Sequence, residues 1–462
     1  MKKNRIKIFI FISLVIIISA ISSQLDASQK HLTMMIYMNA DNNLDPYGQE
    51  NLKQMAEVGS NEYFNVVVLC DRRNAPASLI YVEKNNLRVL KNLGEIDMGS
   101  YQTLVTFARE TIAAFPAEKY VLEIWNHGSG WRNSPENPSY RGISYDEASN
   151  THIKTEELDT ALGMINQYLG RKLDVLMYDA CLMQMAEVAC IIKGKADLIV
   201  GSEDNVPGRG FPYNKILGNY IPNMSMLEFS AMVARTYVLS IMTGPDQYAP
   251  ATLSVLDGNK IDVIQQALES FCSIVIKGNY GMQVREALRR TQKFTVPDHR
   301  DLRHFLINLK KQPIDMNLFQ AIEKLESACS QVILVNEFNN NFMAMAGGIA
   351  VYFPDIATDY KVNYDNAAFS KISNWDDMVR DSYRKAGVRD IVISALNGDM
   401  DLLKNFVADQ KSKSEKNAAF DCEFCNLLAD QLNYEAFCEN SAASSVKFEI
   451  ARFACELKGM IR

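Results

Sequence analysis

The chain has 462 residues, 48% of them hydrophobic, which is enough apolar material for a large core and two or three domains and excludes global disorder. The formal net charge of −7, with no basic stripe, argues against a nucleic-acid protein. Histidine is scarce, so any imidazole chemistry must draw on His31, His127, His152, His299 or His304.

The first residues read as an export signal. Lys2, Lys3, Arg5 and Lys7 form a positive start, and residues 8–21 are apolar but short for a membrane span. Ala20, Ile21 and Ser22 then offer small residues for cleavage before Ser23, so residues 1–23 are a signal peptide; an uncleaved anchor is the alternative. No cysteine lies near the cut, which argues against a lipoprotein. No later transmembrane run follows, so the mature protein is expected to be secreted or periplasmic, without stable membrane insertion. Nine cysteines are unusual in such a compartment, and their odd number leaves at least one thiol without an intrachain partner.

Residues 31–39 read as a strand that ends at the turn cluster Ala40, Asp41, Asn42 and Asn43. A helix over 44–58 follows, then a strand over 64–70 closed by Asp71, Arg72 and Arg73. Residues 79–82 and 87–90 suit a hairpin, and 100–115 a helix stopped at Pro116. The strand over 120–125 runs into Asn126-His127-Gly128-Ser129-Gly130, a histidine on a glycine-rich turn. Residues 132–140, with two prolines, read as an exposed loop. A helix over 155–169 is expected to be capped by Thr155, with Glu156 and Glu157 in its first turn.

Residues 173–190, LDVLMYDACLMQMAEVAC, organise the rest. Residues 173–178 read as a buried parallel strand, and 182–190 as a helix. Cys181 is thus expected at the carboxyl end of a strand and the start of a helix, where α/β sheets place ligands and a helix dipole favours a thiolate. A strand over 196–201 leads to the loop 202–210. Strand and helix patterns alternate, giving an α/β fold with a mainly parallel sheet. His127, Cys181 and the 202–210 loop then share one sheet edge. From about Met226 the pattern is mostly helical, with later strands over 332–338 and 347–353. Residues 388–462 read as a helical tail. Its Cys422-x-x-Cys425, with Cys438 and Cys455, fits disulfides or buried thiols better than an irregular zinc site.

A thiolate nucleophile needs a proton carrier for the leaving amine, and a histidine on a neighbouring strand end would serve. The Gly128 and Cys181 amides are candidate oxyanion donors. Asp179, two residues before the cysteine, either receives a cationic substrate side chain or caps the following helix.

IWNHGSG together with LDVLMYDACLM resembles the histidine and cysteine motifs of the clostripain family of cysteine peptidases, in the caspase, gingipain and legumain group of folds. IYMNADNNLD, VVLCDRR and GSEDNVPGRGFPY extend the resemblance over roughly residues 32–213, and it continues faintly to 354. It implies a caspase-like core over 30–215, completed by late strands within a helical region over 216–387. It implies His127 and Cys181 as a catalytic dyad, and Asp179 at the base of an S1 pocket for Arg or Lys. Glu203 or Asp204 is a possible second acid. Several family members cut themselves after a basic residue between the two motifs. Arg141–Gly142 is the bond expected here, with Arg132 and Lys154 as alternatives, giving two packed pieces of one chain. The partners expected are peptides or proteins with Arg or Lys at P1. No cofactor is expected to be required. Some relatives need calcium; the chain has no EF-hand-like run, so calcium stays an open alternative that no motif supports. The rival expectation is a catalytically idle peptidase scaffold that binds through its helical tail.

Overall fold

The computed structural model of the chain describes residues 29–133, 141–278, 280–396, 403–408 and 453. The chain divides into two compact units. The first comprises Met1–Cys181, Gly194–Gly201 and Val206–Ala249; the second comprises Leu182–Lys193, Ser202–Asn205 and Pro250–Arg462. The expected signal peptide and most of the expected helical tail, including Cys422, Cys425, Cys438 and Cys455, lie outside the described residues.

The first unit is built on a mixed, mainly parallel sheet. Its strands are β1 (Lys30–Ala40), β2 (Phe64–Arg72), β3 (Ala75–Glu83), β4 (Asn86–Gly94), β5 (Ala117–Trp125), β9 (Leu173–Asp179) and β10 (Ala196–Gly201). They are ordered β10-β9-β5-β1-β2-β3-β4. The five strands from β10 to β2 run parallel, and β3 and β4 close the edge as an antiparallel hairpin. A parallel strand is covered on both faces, so its sequence is apolar throughout rather than alternating. All seven residues of β9 are buried, as are nine of the eleven in β1. The path from β1 to β2 and the path from β1 out to β5 and β9 run in opposite directions across the sheet. Right-handed crossovers therefore put helix Asp45–Val58 on one face and helices Tyr101–Ala114 and Thr155–Leu169 on the other. The two latter helices pack together, and Asp45–Val58 packs with Tyr213–Gly218. The strand order reverses beside β1, which makes the carboxyl edge there the place for a ligand site.

A small second sheet stands on that edge. It consists of β6 (Gly128–Asn133), β7 (Arg141–Asp146) and β8 (Thr151–Ile153), in the order β6-β7-β8 and antiparallel. Its strands are too short and too polar to stand out in the sequence.

The second unit has two antiparallel strand pairs among its described residues. One joins β11 (Thr252–Asp257) to β13 (Ile333–Phe338), the other β12 (His299–Asp301) to β14 (Ala350–Tyr352). Helices Leu302–Lys310 and Met316–Val332 pack against them, and Ile261–Lys277 packs against Met316–Val332. Strand β11 lies in the mostly helical region after Met226 and is not among the later strands expected there. Buried acids join this unit's segments: Glu187 Oε1 accepts from Tyr352 N–H and Tyr364 O–H, each at 2.8 Å.

Two local expectations are corrected. The helix expected over 182–190 is only Ala186–Ile191, because Leu182 takes the left-handed region at φ 63° and the chain turns before a helix can start. Helix Thr155–Leu169 is capped one residue earlier than expected, by Lys154, whose N–H donates to the Glu157 carboxylate at 3.0 Å.

Candidate active site

Trp125, the last residue of β5, and Asp179, the last of β9, are register partners on adjacent parallel strands. His127 and Cys181 each lie two residues beyond, so both leave the sheet at the same height on neighbouring strand ends. The pairing continues one step past the strands, where Asn126 N–H donates to Asp179 O at 3.3 Å.

The turn before His127 is clamped by Asn126, which is buried. Its amide Oδ1 accepts from Tyr145 N–H at 2.8 Å, and its Nδ2 donates to Tyr145 O at 3.2 Å and to Asn39 O. One side chain therefore ties the histidine loop to both β1 and β7. The imidazole itself is held by a residue the sequence had not singled out: His127 Nε2 lies 2.6 Å from Asn43 Oδ1. A proton on Nε2, donated to that oxygen, leaves Nδ1 as the basic nitrogen. The signal available in the sequence was position alone. Asn43 ends the turn after β1, next to the strand that carries His127.

Cys181 is half-buried, and its Sγ accepts from Val206 N–H at 3.3 Å. The same residue's carbonyl lies 3.7 Å from the sulfur and can accept the thiol proton, so Val206 holds Cys181 through both backbone groups. The expected helix dipole does not contribute, because the next helix starts five residues later, at Ala186. The other described cysteines, Cys70, Cys190, Cys272 and Cys329, are all buried and unbridged, as is the half-buried Cys181 unbridged. Burial pushes the Cys70 and Cys329 thiols up to about 12 and raises those of Cys190 and Cys272 as well. Among the described cysteines, Cys181 alone combines access with a donor.

Asp179 lies inside the protein, only 4% exposed. Its Oδ2 accepts from Phe211 N–H and from Tyr213 O–H, both at 2.9 Å. The Tyr213 hydroxyl also meets Glu123 Oε1 in a short contact. A hydroxyl has one proton to give, so two carboxylates sharing it require a second proton in the chain. Glu123 is the group to carry it: burial, then the Asp179 charge, raise its carboxyl well above the usual range. Glu123 then donates to Tyr213 and Tyr213 donates to Asp179. Burial raises Asp179 as well, to about 7. The Phe211 segment can reach Asp179 because Gly210 takes φ 61° and has no side chain; a Cβ there would come within 2.4 Å of Asp179 Oδ2.

The remaining expected residues are placed as follows. Gly128 opens β6 opposite Ile143, half-buried beside His127. Arg141 opens β7, and Gly142 N–H donates to Ser129 Oγ at 3.1 Å. The 134–140 stretch lies outside the described residues. Asp204 belongs to the second unit and is fully buried there, with Oδ1 accepting from Asn205 N–H at 2.7 Å and Thr295 N–H at 2.9 Å.

The family model for the clostripain family matches residues 36–383. The chain belongs to the clostripain family. It is 30% identical over 217 residues to clostripain of Hathewaya histolytica, a match covering 40% of this chain and 41% of that protein. The chain thus spans about two fifths of the length of the curated relative it matches. Two solved structures share its fold over 75% of this chain and 99% of theirs. One is a secreted C11 cysteine protease from Bacteroides thetaiotaomicron in complex with an irreversible peptide inhibitor, with a TM-score of 0.60 and 16% identity. The other is an inactive zymogen C11 protease from Parabacteroides distasonis, with a TM-score of 0.58 and 19% identity. Membership in this family bears out the resemblance read from the two motifs, and the mixed, mainly parallel sheet flanked by helices bears out the fold class.

Proposed function

We propose that the protein is an exported cysteine endopeptidase that cleaves after Arg, and after Lys less well. Cys181 gives its thiol proton to His127 and attacks the scissile carbonyl, forming the S–C bond of a tetrahedral intermediate. The Gly128 and Cys181 amides donate to its oxyanion. His127, held through Nε2 by Asn43, delivers a proton to the leaving amine as the C–N bond breaks, and water then releases the acyl group and regenerates the thiol. The observation that carries this reading is the Trp125–Asp179 register, which sets the one accessible described cysteine and a tethered histidine on adjacent strand ends.

Asp179 supplies the negative charge for a P1 guanidinium. An arriving cation favours its ionised form, so taking up an Arg side chain and losing the Asp179 proton are linked. The Glu123–Tyr213 pair holds that carboxylate in place. The activating cut is assigned to the Arg141–Gly142 bond. It matches the proposed P1 preference, and β5 and β9 on either side of it remain paired in one sheet. Among the described residues no helix is long and apolar enough to cross a membrane, which accords with export behind the signal read at residues 1–23.

The test is hydrolysis of an Arg peptide by purified wild-type protein and by Cys181→Ala. The reading requires cleavage after Arg by the first and none by the second. Cleavage by Cys181→Ala would end it.

A further inference from the structure

Alternate residues of one short segment touch the parts of the proposed site in turn. Val206 N–H donates to Cys181 Sγ at 3.3 Å. Two residues on, Gly208 lies against the ring of Tyr47: a Cβ there would come within 2.7 Å of Cε2 and 2.9 Å of Cζ. Two further on, a Cβ at Gly210 would come within 2.4 Å of Asp179 Oδ2. The order along the segment is therefore nucleophile, aromatic ring, carboxylate. Residues 207–210 form a turn, closed by Gly210 N–H donating to Pro207 O at 2.8 Å. The three stations are thus closer together than the roughly 14 Å that four extended residues span. Arg209, between the two glycines, has its guanidinium engaged by Glu50 at 3.0 Å and Asp246 at 3.7 Å, which leaves Asp179 to another cation.

Helix Asp45–Val58 holds the segment along one face. Tyr47, Asn51 and Gln54 follow one another at four and three residues, the spacing of neighbours on a helix surface. Asn51 Nδ2 donates to Arg209 O at 3.0 Å, and Gln54 Oε1 accepts from Tyr213 N–H at 3.1 Å. Asn51 is itself fixed by Trp125 Nε1–H, which donates to its Oδ1 at 2.9 Å. Of these neighbouring rings, Trp125, Phe211 and Tyr213 are buried, whereas Tyr47 is half-buried and can meet a ligand.

We propose that Tyr47 flanks the P1 side chain between Cys181 and Asp179 and selects Arg over Lys. A side chain with its carbonyl at Cys181 and its cation at Asp179 passes the two glycines, which have no side chains to obstruct it, and lies along the Tyr47 ring. An aromatic face receives apolar methylenes and a planar, weakly hydrated guanidinium together. A lysine ammonium is a compact, strongly hydrated charge and gains less from the ring. Asp179 attracts either cation, and the ring distinguishes them. The role of Tyr47 rests on the reading of Asp179 as the P1 acid.

The experiment measures kcat/KM for two peptides that differ only in Arg or Lys at P1, with wild type, Tyr47→Phe and Tyr47→Leu. The Arg:Lys ratio is taken within each preparation, so a partly folded variant does not disturb it. Tyr47→Phe keeps the ring and should hold the ratio within about twofold of wild type. Tyr47→Leu keeps apolar volume but loses the aromatic face, and should lower the ratio by roughly 3- to 30-fold, the range of a cation–π contact from exposed to desolvated. A fall of less than roughly threefold in Tyr47→Leu, or an equal fall in Tyr47→Phe, overturns the role of Tyr47 while leaving Arg cleavage in place. If wild type does not cut after Arg, the peptidase reading falls, and the role of Tyr47 falls with it.

Discussion

His127 Nε2 and Asn43 Oδ1 are 2.6 Å apart, which fixes the imidazole from the turn after the first strand. Asn43 touches no reacting atom in the proposed mechanism, so it is a positioning residue. Asn43→Ala should lower kcat by roughly 10–100-fold, within the range expected for general acid–base catalysis, with little change in KM. Asn43→Asp keeps an acceptor and adds a charge that favours imidazolium. It should recover part of kcat and move the His-dependent limb of the pH–rate profile to higher pH. A purely structural role would lower Tm without moving that limb.

The Asp179 carboxyl, raised to about 7 by burial, makes a second prediction. A guanidinium binds best to the ionised form, so binding of agmatine to Cys181→Ala should tighten as pH rises from 6 to 8. In the double variant Cys181→Ala, Asp179→Asn, the binding should be weak and flat with pH. In an otherwise wild-type chain, Asp179→Asn should lower kcat/KM for Arg peptides by roughly 100-fold or more, since a charged partner is lost from a desolvated site. An unchanged kcat/KM would remove Asp179 from the pocket.

Gly210 offers a structural check on the same region. Gly210→Ala puts a Cβ 2.4 Å from Asp179 Oδ2 at a backbone φ of 61°. Such strain costs about 1–3 kcal/mol. Urea unfolding should show a loss of that size. Arg-peptide KM should also rise, because the segment carrying Phe211 and Tyr213 must shift.

Stability should depend on pH through buried acids, and Glu187 gives the clearest case. Burial raises its carboxyl to about 7 in the folded protein, against an ordinary 4.5. Between those values the folded state holds a proton that the unfolded state has lost. This group's contribution is therefore complete below about 4.5 and is lost as pH rises through about 7, at most about 1.4 kcal/mol per pH unit for one proton. Glu187→Gln keeps an acceptor for Tyr352 N–H and Tyr364 O–H but has no proton to lose. Urea unfolding at pH 5 and pH 8 should show wild type weakening more than Glu187→Gln. Equal slopes would contradict the assignment.

Much of the first unit was legible because parallel strands buried on both faces are continuous apolar runs. Residues 64–70, 120–125 and 173–178 announce themselves that way, and each is a strand of the sheet. The 79–90 hairpin and the 155–169 helix were readable from alternation and from 3.6-residue periodicity. The segment after Cys181 was not. Its leucine and methionines have helical spacing, but Leu182 adopts φ 63°, and a single left-handed residue leaves no mark on composition. The β6-β7-β8 sheet was missed because three-residue to six-residue strands carry too few side chains to show a period. The motifs pointed to His127, Cys181 and Asp179, whereas Asn43, Asn126, Glu123 and Tyr213 were not foreseen. Their roles depend on contacts between residues far apart in the chain, which spacing cannot reveal.

Cys181 is proposed to cleave peptide bonds after Arg, including one in its own chain. This cleavage is tested most directly by mass spectrometry of the peptide ends formed by wild type and by Cys181→Ala, each purified alone and given an Arg-containing peptide. New ends are expected after Arg in the substrate and at Arg141–Gly142 in wild type, and neither in Cys181→Ala. Ends formed by the purified Cys181→Ala protein, or wild-type cleavage that ignores basic residues, would contradict this assignment.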